Sequence, residues 1–294
     1  MKPETKLIEV SGYKIWVEHY ANPLTDKTII LVNGALATTA SFTQTIRNLR
    51  ERINIVLFDL PFAGMSRAHN CAARVLTKDN EVDILLSLIE RYQANYLMSA
   101  SWGGVSSLLS LVKQPPTIEK AIICSFSPVI NHAMRDYMNG ARRYLAEQNI
   151  SGGANLLNST VGKYLPSLLK QHNYQYLLEM VRGNEEQIMF HIDQIFELDH
   201  LQYVEWFSHI NVPVLFVNGT LDEYTTINDV RMLSNHIKRS QFAAIENAGH
   251  FIDLENRQAW RALGAVKRAF LFGDDAFSHV PCPAPGSLGS LMTA

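Results

Sequence analysis

The stretch that decides the fold is Tyr96-Leu97-Met98-Ser99-Ala100-Ser101-Trp102-Gly103-Gly104. An apolar, strand-like run leads directly into Ser101, and small residues then lead into a helical pattern. This arrangement is typical of a nucleophile elbow, in which a serine lies on a sharp strand-to-helix turn with its hydroxyl clear of the backbone. The turn requires small side chains two residues before and after the serine. Here these are Ser99, where glycine is more common, and Gly103. A serine that only caps a helix would produce a similar pattern.

An acid and a base follow Ser101 in the chain. Asp222 comes after an apolar, β-branched run and His250 comes after a second one, so each lies past the carboxyl end of a predicted strand. Open α/β sheets place their chemistry at that edge, and the order Ser, Asp, His is that of α/β hydrolases. A serine hydroxyl needs an imidazole to take its proton, and the imidazole needs a carboxylate to fix its tautomer. We therefore predict a catalytic triad of Ser101, His250 and Asp222, with Glu223 as the second choice of acid. Taken singly, Asp222 is also typical of a turn and His250 of a loop.

An oxyanion hole is predicted from the first buried strand, Thr28–Val32, which ends in Asn-Gly. In this architecture the loop after that strand supplies one backbone donor, and the residue after the nucleophile supplies the other. The donors are therefore predicted to be the backbone N–H groups of Ala35 and Trp102. A simple turn after a strand would also use a glycine at position 34. That glycine therefore does not distinguish an oxyanion-hole loop from a simple turn.

The composition excludes several classes of function. The chain has 294 residues, 47% of them hydrophobic, and a formal net charge of −2. This balance argues against nucleic-acid binding and polybasic membrane attachment. The N-terminus lacks the apolar core of a signal peptide, and no run is long enough to span a membrane. Cys71, Cys124 and Cys282 are too widely spaced for a disulfide framework or a metal site. We expect a cytoplasmic protein with no metal and no bound cofactor.

The predicted elements divide the chain into four segments. Strand and helix patterns alternate in residues 1–126 and again in 210–272, which predicts an α/β-hydrolase core with a mostly parallel sheet flanked by helices. Residues 127–209 carry helical patterns and no strand pattern, which predicts an inserted helical cap. Residues 273–294 are rich in proline, glycine and serine and are predicted to be a disordered tail. The predicted cap helices are Met134–Glu147, Ala154–Tyr164, Ser167–Arg182 and Glu185–Asp199.

Weaker patterns concern the substrate. The cap is rich in Leu, Met, Tyr and Phe, which suits a long apolar acyl chain, although packing onto the core explains most of these residues. Arg67 and His69, in a loop after a strand, could contact a phosphate or carboxyl group, or only solvent. His191, on a cap helix, could face the site or pack within the cap. All three are candidate substrate-binding residues.

Several stretches of the chain resemble a small branch of the α/β-hydrolase superfamily. They are Val32–Phe42, Leu57–Gly64, Ser99–Gly104, Phe190–Gln194, Asp222–Thr226 and Gly249–Phe251. The branch holds the 3-(3-hydroxyalkanoyloxy)alkanoate synthases of rhamnolipid biosynthesis and the 3-hydroxyacyl-ACP:CoA transacylases of polyhydroxyalkanoate synthesis. The resemblance implies a medium-chain 3-hydroxyacyl substrate, held as a thioester on the phosphopantetheine of acyl carrier protein (ACP) or on coenzyme A (CoA).

The two members of this branch differ in their acceptor. The synthase joins two 3-hydroxyacyl units through an ester, whereas the transacylase passes one unit to CoA. Ala35, Leu60–Gly64 and Ser99–Ser101 look more like the synthase, while Ser125–Asn131 and Leu165–Lys170 look more like the transacylase. Because the first group lies nearer the predicted site, the resemblance favours the synthase, which makes the lipid precursor of rhamnolipids. The transacylase is the alternative, and an esterase or thioesterase of the same fold is the second alternative.

The resemblance also implies partners. The donor would be 3-hydroxyacyl-ACP or 3-hydroxyacyl-CoA, so ACP itself is an expected partner. A synthase would further supply a downstream rhamnosyltransferase. Loose association with the inner membrane is left open beside the cytoplasmic location.

Overall fold

The computed structural model describes residues 2–71, 75–200 and 203–273. The tail predicted to be disordered, residues 273–294, lies outside the described residues except for Gly273, and so does Cys282. Within the described ranges, no helix is both long and apolar enough to cross a membrane.

The strands of the described chain form a single, mostly parallel sheet. They are β1 (Glu4–Val10), β2 (Tyr13–Tyr20), β3 (Thr28–Val32), β4 (Asn54–Phe58), β5 (Tyr96–Ala100), β6 (Lys120–Cys124), β7 (Val214–Gly219) and β8 (Ser240–Ile245). Their spatial order is β1-β2-β4-β3-β5-β6-β7-β8. The β1–β2 and β2–β4 pairs are antiparallel, and all later pairs are parallel. The parallel sheet predicted from the alternation of strands and helices is confirmed.

The central strands are buried on both faces, which is why their sequences are continuously apolar. Side chains alternate between the two faces along a strand. Ile30 and Val32 of β3 therefore belong to one core cluster, while Ile29 and Leu31 belong to the other. Because β3, β5, β6, β7 and β8 run parallel, their carboxyl ends meet at one edge of the sheet. The loops that leave this edge carry the candidate site.

The helices cover both faces of the sheet. They are α1 (Thr43–Leu49), α2 (Lys78–Tyr92), α3 (Gly103–Val112), α4 (His132–Ala146), α5 (Ile150–Ser159), α6 (Ser167–Val181), α7 (Glu185–His200), α8 (Ile227–Arg231), α9 (Ile252–Glu255) and α10 (Arg257–Phe272). Capping residues set several of these boundaries. Thr77 and Asn80 form a capping box at the start of α2, and Gly273 ends α10 in the left-handed conformation with φ 75°.

Four helices, α4 to α7, lie between β6 and β7, and we call them the cap helices. Their bounds follow the prediction closely, except that α5 begins four residues early and ends before Tyr164. The Asn149 side chain accepts a hydrogen bond from the N–H of Gly152 and so caps the helix ahead of two glycines. The cap helices share a small apolar cluster of their own, centred on Leu177 and Met180. The division of the chain into separate segments at residues 127 and 210 stays a prediction.

Candidate active site

Ser101 lies on the turn between β5 and α3. Its φ is 51°, a left-handed conformation that is unfavourable for a residue with a Cβ, and its N–H donates to the carbonyl of Cys124 at 2.8 Å. A Cβ added to Gly103 would lie 2.4 Å from the carbonyl oxygen of Asn33, so the start of α3 packs directly on the end of β3. The strained serine and the small residue after it are the features that the sequence predicts for a nucleophile elbow.

The loop after β3 lies against the same serine. A Cβ added to Gly34 would lie 3.1 Å from the Cβ of Ser101. Ala35 and Trp102, the predicted oxyanion donors, line one cavity together with Ser101. The structure therefore brings both backbone positions to the serine, and their function as donors stays a prediction.

The three predicted triad residues lie in hydrogen-bonding contact. His250 Nε2 is 2.9 Å from Ser101 Oγ, and His250 Nδ1 is 2.8 Å from Asp222 Oδ2. Both His250 and Asp222 are buried. With Nδ1 protonated toward the carboxylate, Nε2 is free to accept the serine proton, which is the arrangement that activates a serine nucleophile.

Asp222 is held in its ionised form. Its Oδ1 accepts hydrogen bonds from the N–H groups of Tyr224 and Thr225, and its Oδ2 accepts one from the Thr225 hydroxyl. Burial alone would raise the pKa of Asp222, but the charge and hydrogen bond of His250 and the hydrogen bonds of Thr225 outweigh it and lower that pKa. Glu223, the second choice of acid, instead pairs with Lys163 at the surface. The geometry therefore favours Asp222 as the acid.

Two residues that the sequence did not single out hold the loop of His250. The Ser125 hydroxyl donates to the carbonyl of His250 at 2.6 Å. The Glu255 carboxylate accepts from the N–H groups on either side of His250. An acidic residue five positions after a predicted catalytic histidine was the available signal for Glu255, and Ser125 had none beyond its place at a strand end.

The site opens into a cavity of about 330 Å³ with mostly apolar walls. The sheet edge contributes the polar floor, and the cap helices contribute much of the roof. A cavity of this size and character is suited to a small apolar ligand. The apolar cap side chains that line it include Met134, Met138, Leu157, Val161, Ile188 and Ile192.

The three candidate substrate-binding residues have different positions. Arg67 does not line this cavity, because its guanidinium donates to the carbonyl of Glu179 at 2.8 Å and to the carbonyl of Arg182, near the end of α6. His69 is exposed and also lies outside the cavity. His191 does line it, between Trp102 and α2. The structure thus brings only His191 of the three to the cavity, because a loop after a strand gives no signal of which side chains turn inward; binding of substrate by any of the three stays a prediction.

Across the three described ranges, no group of three or more His, Cys, Asp or Glu side chains could hold a metal ion. Cys124 is buried at the end of β6, and burial raises the pKa of its thiol to about 12, so it remains protonated.

Comparison with known proteins gives a matching family model, similar sequences and a similar structure. A family model described as the alpha/beta hydrolase fold matches residues 27–256. An (R)-3-hydroxydecanoyl-ACP:CoA transacylase of Pseudomonas putida is 47% identical over 92% of this chain and 92% of its own length. The transacylase of the same name from Pseudomonas aeruginosa is 44% identical over 92% of this chain and 91% of its own. A serine hydrolase structure from Cycloclasticus zankles superposes with a TM-score of 0.73 at 18% identity, covering 92% of this chain and 98% of that one.

Proposed function

Because the chain belongs to the α/β-hydrolase superfamily, in the branch of its transacylase relatives, we propose that it transfers a 3-hydroxyacyl group of medium chain length from ACP to CoA. The observation that carries this proposal is the 47% identity to a 3-hydroxydecanoyl-ACP:CoA transacylase over nearly the whole of both chains. The contacts between Ser101, His250 and Asp222 support it, because they suit transfer through an acyl-enzyme.

In the first half-reaction the Ser101 hydroxyl gives its proton to Nε2 of His250. Its oxygen then attacks the thioester carbonyl of the donor. The carbonyl oxygen becomes an oxyanion, which the backbone N–H groups of Ala35 and Trp102 stabilise. The carbon–sulfur bond then breaks, His250 returns the proton to the departing sulfur, and the phosphopantetheine thiol of ACP leaves. The acyl group remains as an ester on Ser101.

In the second half-reaction the CoA thiol gives its proton to Nε2 of His250. Its sulfur attacks the ester carbonyl, and the same backbone groups stabilise the second oxyanion. The bond from the carbonyl carbon to Ser101 Oγ breaks, and His250 returns the proton to that oxygen. One thioester is consumed and one is formed, so the transfer needs no oxidant or reductant.

Exclusion of water decides whether such an enzyme transfers or hydrolyses. The apolar cap side chains line the same cavity as Ser101 and offer water few hydrogen-bonding partners there. A thiol brought in on the pantetheine arm then competes with little water for the ester. The apolar lining of the cavity therefore favours acyl transfer over the esterase or thioesterase alternative.

The relatives reverse the order of preference between the synthase and the transacylase. The residues nearest the site resemble the synthase, whereas the similarity over the whole chain is to transacylases. We therefore place the transacylase first. The expected partners are 3-hydroxyacyl-ACP and CoA, both of which would locate the protein in the cytoplasm; a rhamnosyltransferase is not part of this proposal.

The experiment incubates the purified full chain with 3-hydroxydecanoyl-ACP, with and without CoA, and identifies the products by mass. The proposal expects 3-hydroxydecanoyl-CoA only when CoA is present, and none from a Ser101→Ala variant. An ester of two 3-hydroxydecanoyl units would instead establish the synthase, and free 3-hydroxydecanoic acid as the main product would establish a thioesterase. If no product forms and a fluorophosphonate does not label Ser101, the fold is not acting as a serine acyltransferase.

A further inference from the structure

Helix α7 and the residue before it present three polar side chains to the cavity, Asn184, Gln187 and His191. The Gln187 amide is bonded at both ends to the backbone of Leu76, at 2.8 and 3.1 Å. The Asn184 amide donates to two backbone carbonyls. Both amides are therefore occupied by hydrogen bonds to the protein's own backbone. Of the three side chains, His191 is the one that remains available to a ligand.

A buried carboxylate, that of Glu81, also lines the cavity and lies on the Nδ1 side of the His191 ring. Glu81 Oε1 is 3.6 Å from His191 Nδ1, and among the described residues neither atom has a closer hydrogen-bond partner. The other oxygen of Glu81 accepts a hydrogen bond from Lys78 Nζ at 2.6 Å. A carboxylate on the Nδ1 side favours a proton on that nitrogen and leaves Nε2 as an acceptor. Since the Nδ1 edge is buried against Glu81, the opposite edge of the ring is the one that can face the cavity.

The side chains of Lys78 and His191 both pack against the indole ring of Trp102. Lys78 Nζ lies 4.0 Å from the centroid of the Trp102 ring, and the His191 ring meets the same indole edge-on at 5.7 Å. Lys78 and Glu81 are almost completely buried, which is costly for an ion pair that serves packing alone. Trp102 directly follows Ser101 in the chain, so the imidazole contacts the side chain of the residue next to the nucleophile.

We propose that Nε2 of His191 accepts a hydrogen bond from the 3-hydroxyl of the acyl substrate, with Glu81 as the positioning residue that fixes the ring. This inference rests on the proposed function, because it assumes a hydroxyacyl thioester at Ser101. The 3-hydroxyl is the substrate's polar group nearest the reacting carbonyl, two carbons away from it. Apolar walls accept the rest of the chain.

The protonation state of His191 agrees with this assignment. Burial lowers the pKa of His191 to about 4, and the charge of Glu81 offsets only part of that effect. The imidazole is therefore neutral near pH 7 and has one donor and one acceptor nitrogen.

A hydroxyl acceptor of this kind predicts substrate discrimination. A decanoyl chain without the hydroxyl would leave a desolvated acceptor unpaired, which costs about 1–3 kcal/mol. That cost corresponds to a kcat/KM for decanoyl thioesters roughly 5- to 150-fold below that for 3-hydroxydecanoyl thioesters. If His191 instead contacted the pantetheine arm, kcat/KM would not differ between the two thioesters for this reason, because both carry the same arm.

The test measures CoA release from 3-hydroxydecanoyl-CoA and decanoyl-CoA, with ACP that carries phosphopantetheine as the acyl acceptor, by the full chain and by His191→Phe, which keeps a ring against Trp102. The variant is expected to lose roughly 10-fold or more in kcat/KM for the hydroxylated substrate and little or nothing for decanoyl-CoA. It is also expected to lose discrimination between the two enantiomers at C3. His191→Gln retains a hydrogen-bonding group and should recover part of the preference. His172→Phe makes the same replacement at an exposed position of α6 and should leave the ratio unchanged.

The positioning role is tested separately, because Glu81→Gln alone leaves Lys78 unpaired and is expected to destabilise the fold. The double variant Lys78→Met, Glu81→Leu removes both charges together, and it should reduce the hydroxyl preference at least 3-fold. An equal loss for both substrates in His191→Phe, or an unchanged ratio, would overturn the hydroxyl assignment. If no thioester is cleaved at all, the proposed function fails instead. The hydroxyl assignment is then decided by measuring how tightly the two CoA esters bind to the Ser101→Ala variant and to the double variant Ser101→Ala, His191→Phe. The assignment requires that the hydroxylated ester binds more tightly than the other ester only when His191 is present.

Discussion

The carboxylate of Glu255 accepts a hydrogen bond from the backbone N–H of Phe251 at 2.9 Å. Its other oxygen accepts from the N–H of Gly249, so one buried side chain holds the main chain on both sides of His250. Burial raises the pKa of Glu255, and the two backbone hydrogen bonds offset part of that rise. Ser125 holds the same loop through the carbonyl of His250. The imidazole is thereby fixed by contacts to its own backbone as well as by Asp222.

Replacing Glu255 by Gln is expected to lower kcat about 10-fold with little change in KM. The amide keeps one acceptor oxygen but places an NH₂ group against a backbone donor, so the His250 loop shifts and the proton transfer is misaligned. The measurement is steady-state kinetics of thiol release, with thermal unfolding to establish that the variant is folded. Glu246→Gln, at an exposed position nearby, is the matched control. Equal kcat values for the two variants would remove Glu255 from the positioning of His250.

Replacing Asp222 by Asn is expected to lower kcat about 10³- to 10⁴-fold, because an amide favours the wrong imidazole tautomer and cannot stabilise the imidazolium. Glu223→Gln removes the neighbouring carboxylate, which pairs with Lys163 at the surface, and should leave kcat nearly unchanged. Single-turnover acylation of Ser101 distinguishes loss of chemistry from loss of binding. A larger effect from Glu223→Gln than from Asp222→Asn would reverse the choice of acid.

The sequence predicted the sheet and the neighbourhood of the site because both depend on local signals. Apolar runs mark buried strands, and the edge at which parallel strands end is then determined by topology. The ion pair of Lys78 and Glu81 has no such signal, since charged residues in the first turn of a helix usually face solvent. The partners of Arg67 also had no signal, because they lie more than 110 residues away in the chain and are backbone carbonyls.

Replacing Arg67 by Ala is expected to loosen the end of α6, since its guanidinium holds the carbonyls of Glu179 and Arg182. Because these contacts are exposed, the expected loss is only about 1 kcal/mol in the free energy of unfolding. Looser attachment of the cap helices should also raise KM a few-fold. Urea unfolding and steady-state kinetics measure the two effects, with Arg47→Ala, at an exposed position of α1, as the control. A lower KM in Arg67→Ala would contradict this structural role.

Replacing Lys267 by Met is expected to destabilise the protein by about 3–5 kcal/mol. Lys267 is fully buried, and its Nζ donates to Thr45 Oγ1 at 2.9 Å and to Asp253 Oδ2 at 3.2 Å, which joins α10 to α1 and α9. The variant leaves the Asp253 carboxylate without its buried cation. Adding Asp253→Leu should restore part of the lost stability, and Lys238→Met at an exposed position should cost little. Urea unfolding measures all three, and a double variant less stable than Lys267→Met would show that the ion pair is not the source of the effect.

The low pKa of His191 predicts how stability depends on pH. Burial lowers that pKa from 6.5 to about 4, so between these two values the unfolded chain binds a proton that the folded protein excludes. The free energy of unfolding therefore falls as the pH is lowered from about 6.5 to 4, by at most about 1.4 kcal/mol per pH unit from this group. His191→Phe removes the contribution of this imidazole. Between pH 4 and 6.5 the free energy of unfolding of the variant should therefore depend less on pH than that of the unmodified protein, while Asp222 and the other carboxylates contribute to the pH dependence of both proteins. Urea unfolding at pH 7, 6 and 5 measures the difference. If the two curves were parallel throughout, His191 would have the same pKa in the folded and the unfolded protein, and its ring would not be desolvated as the low pKa requires.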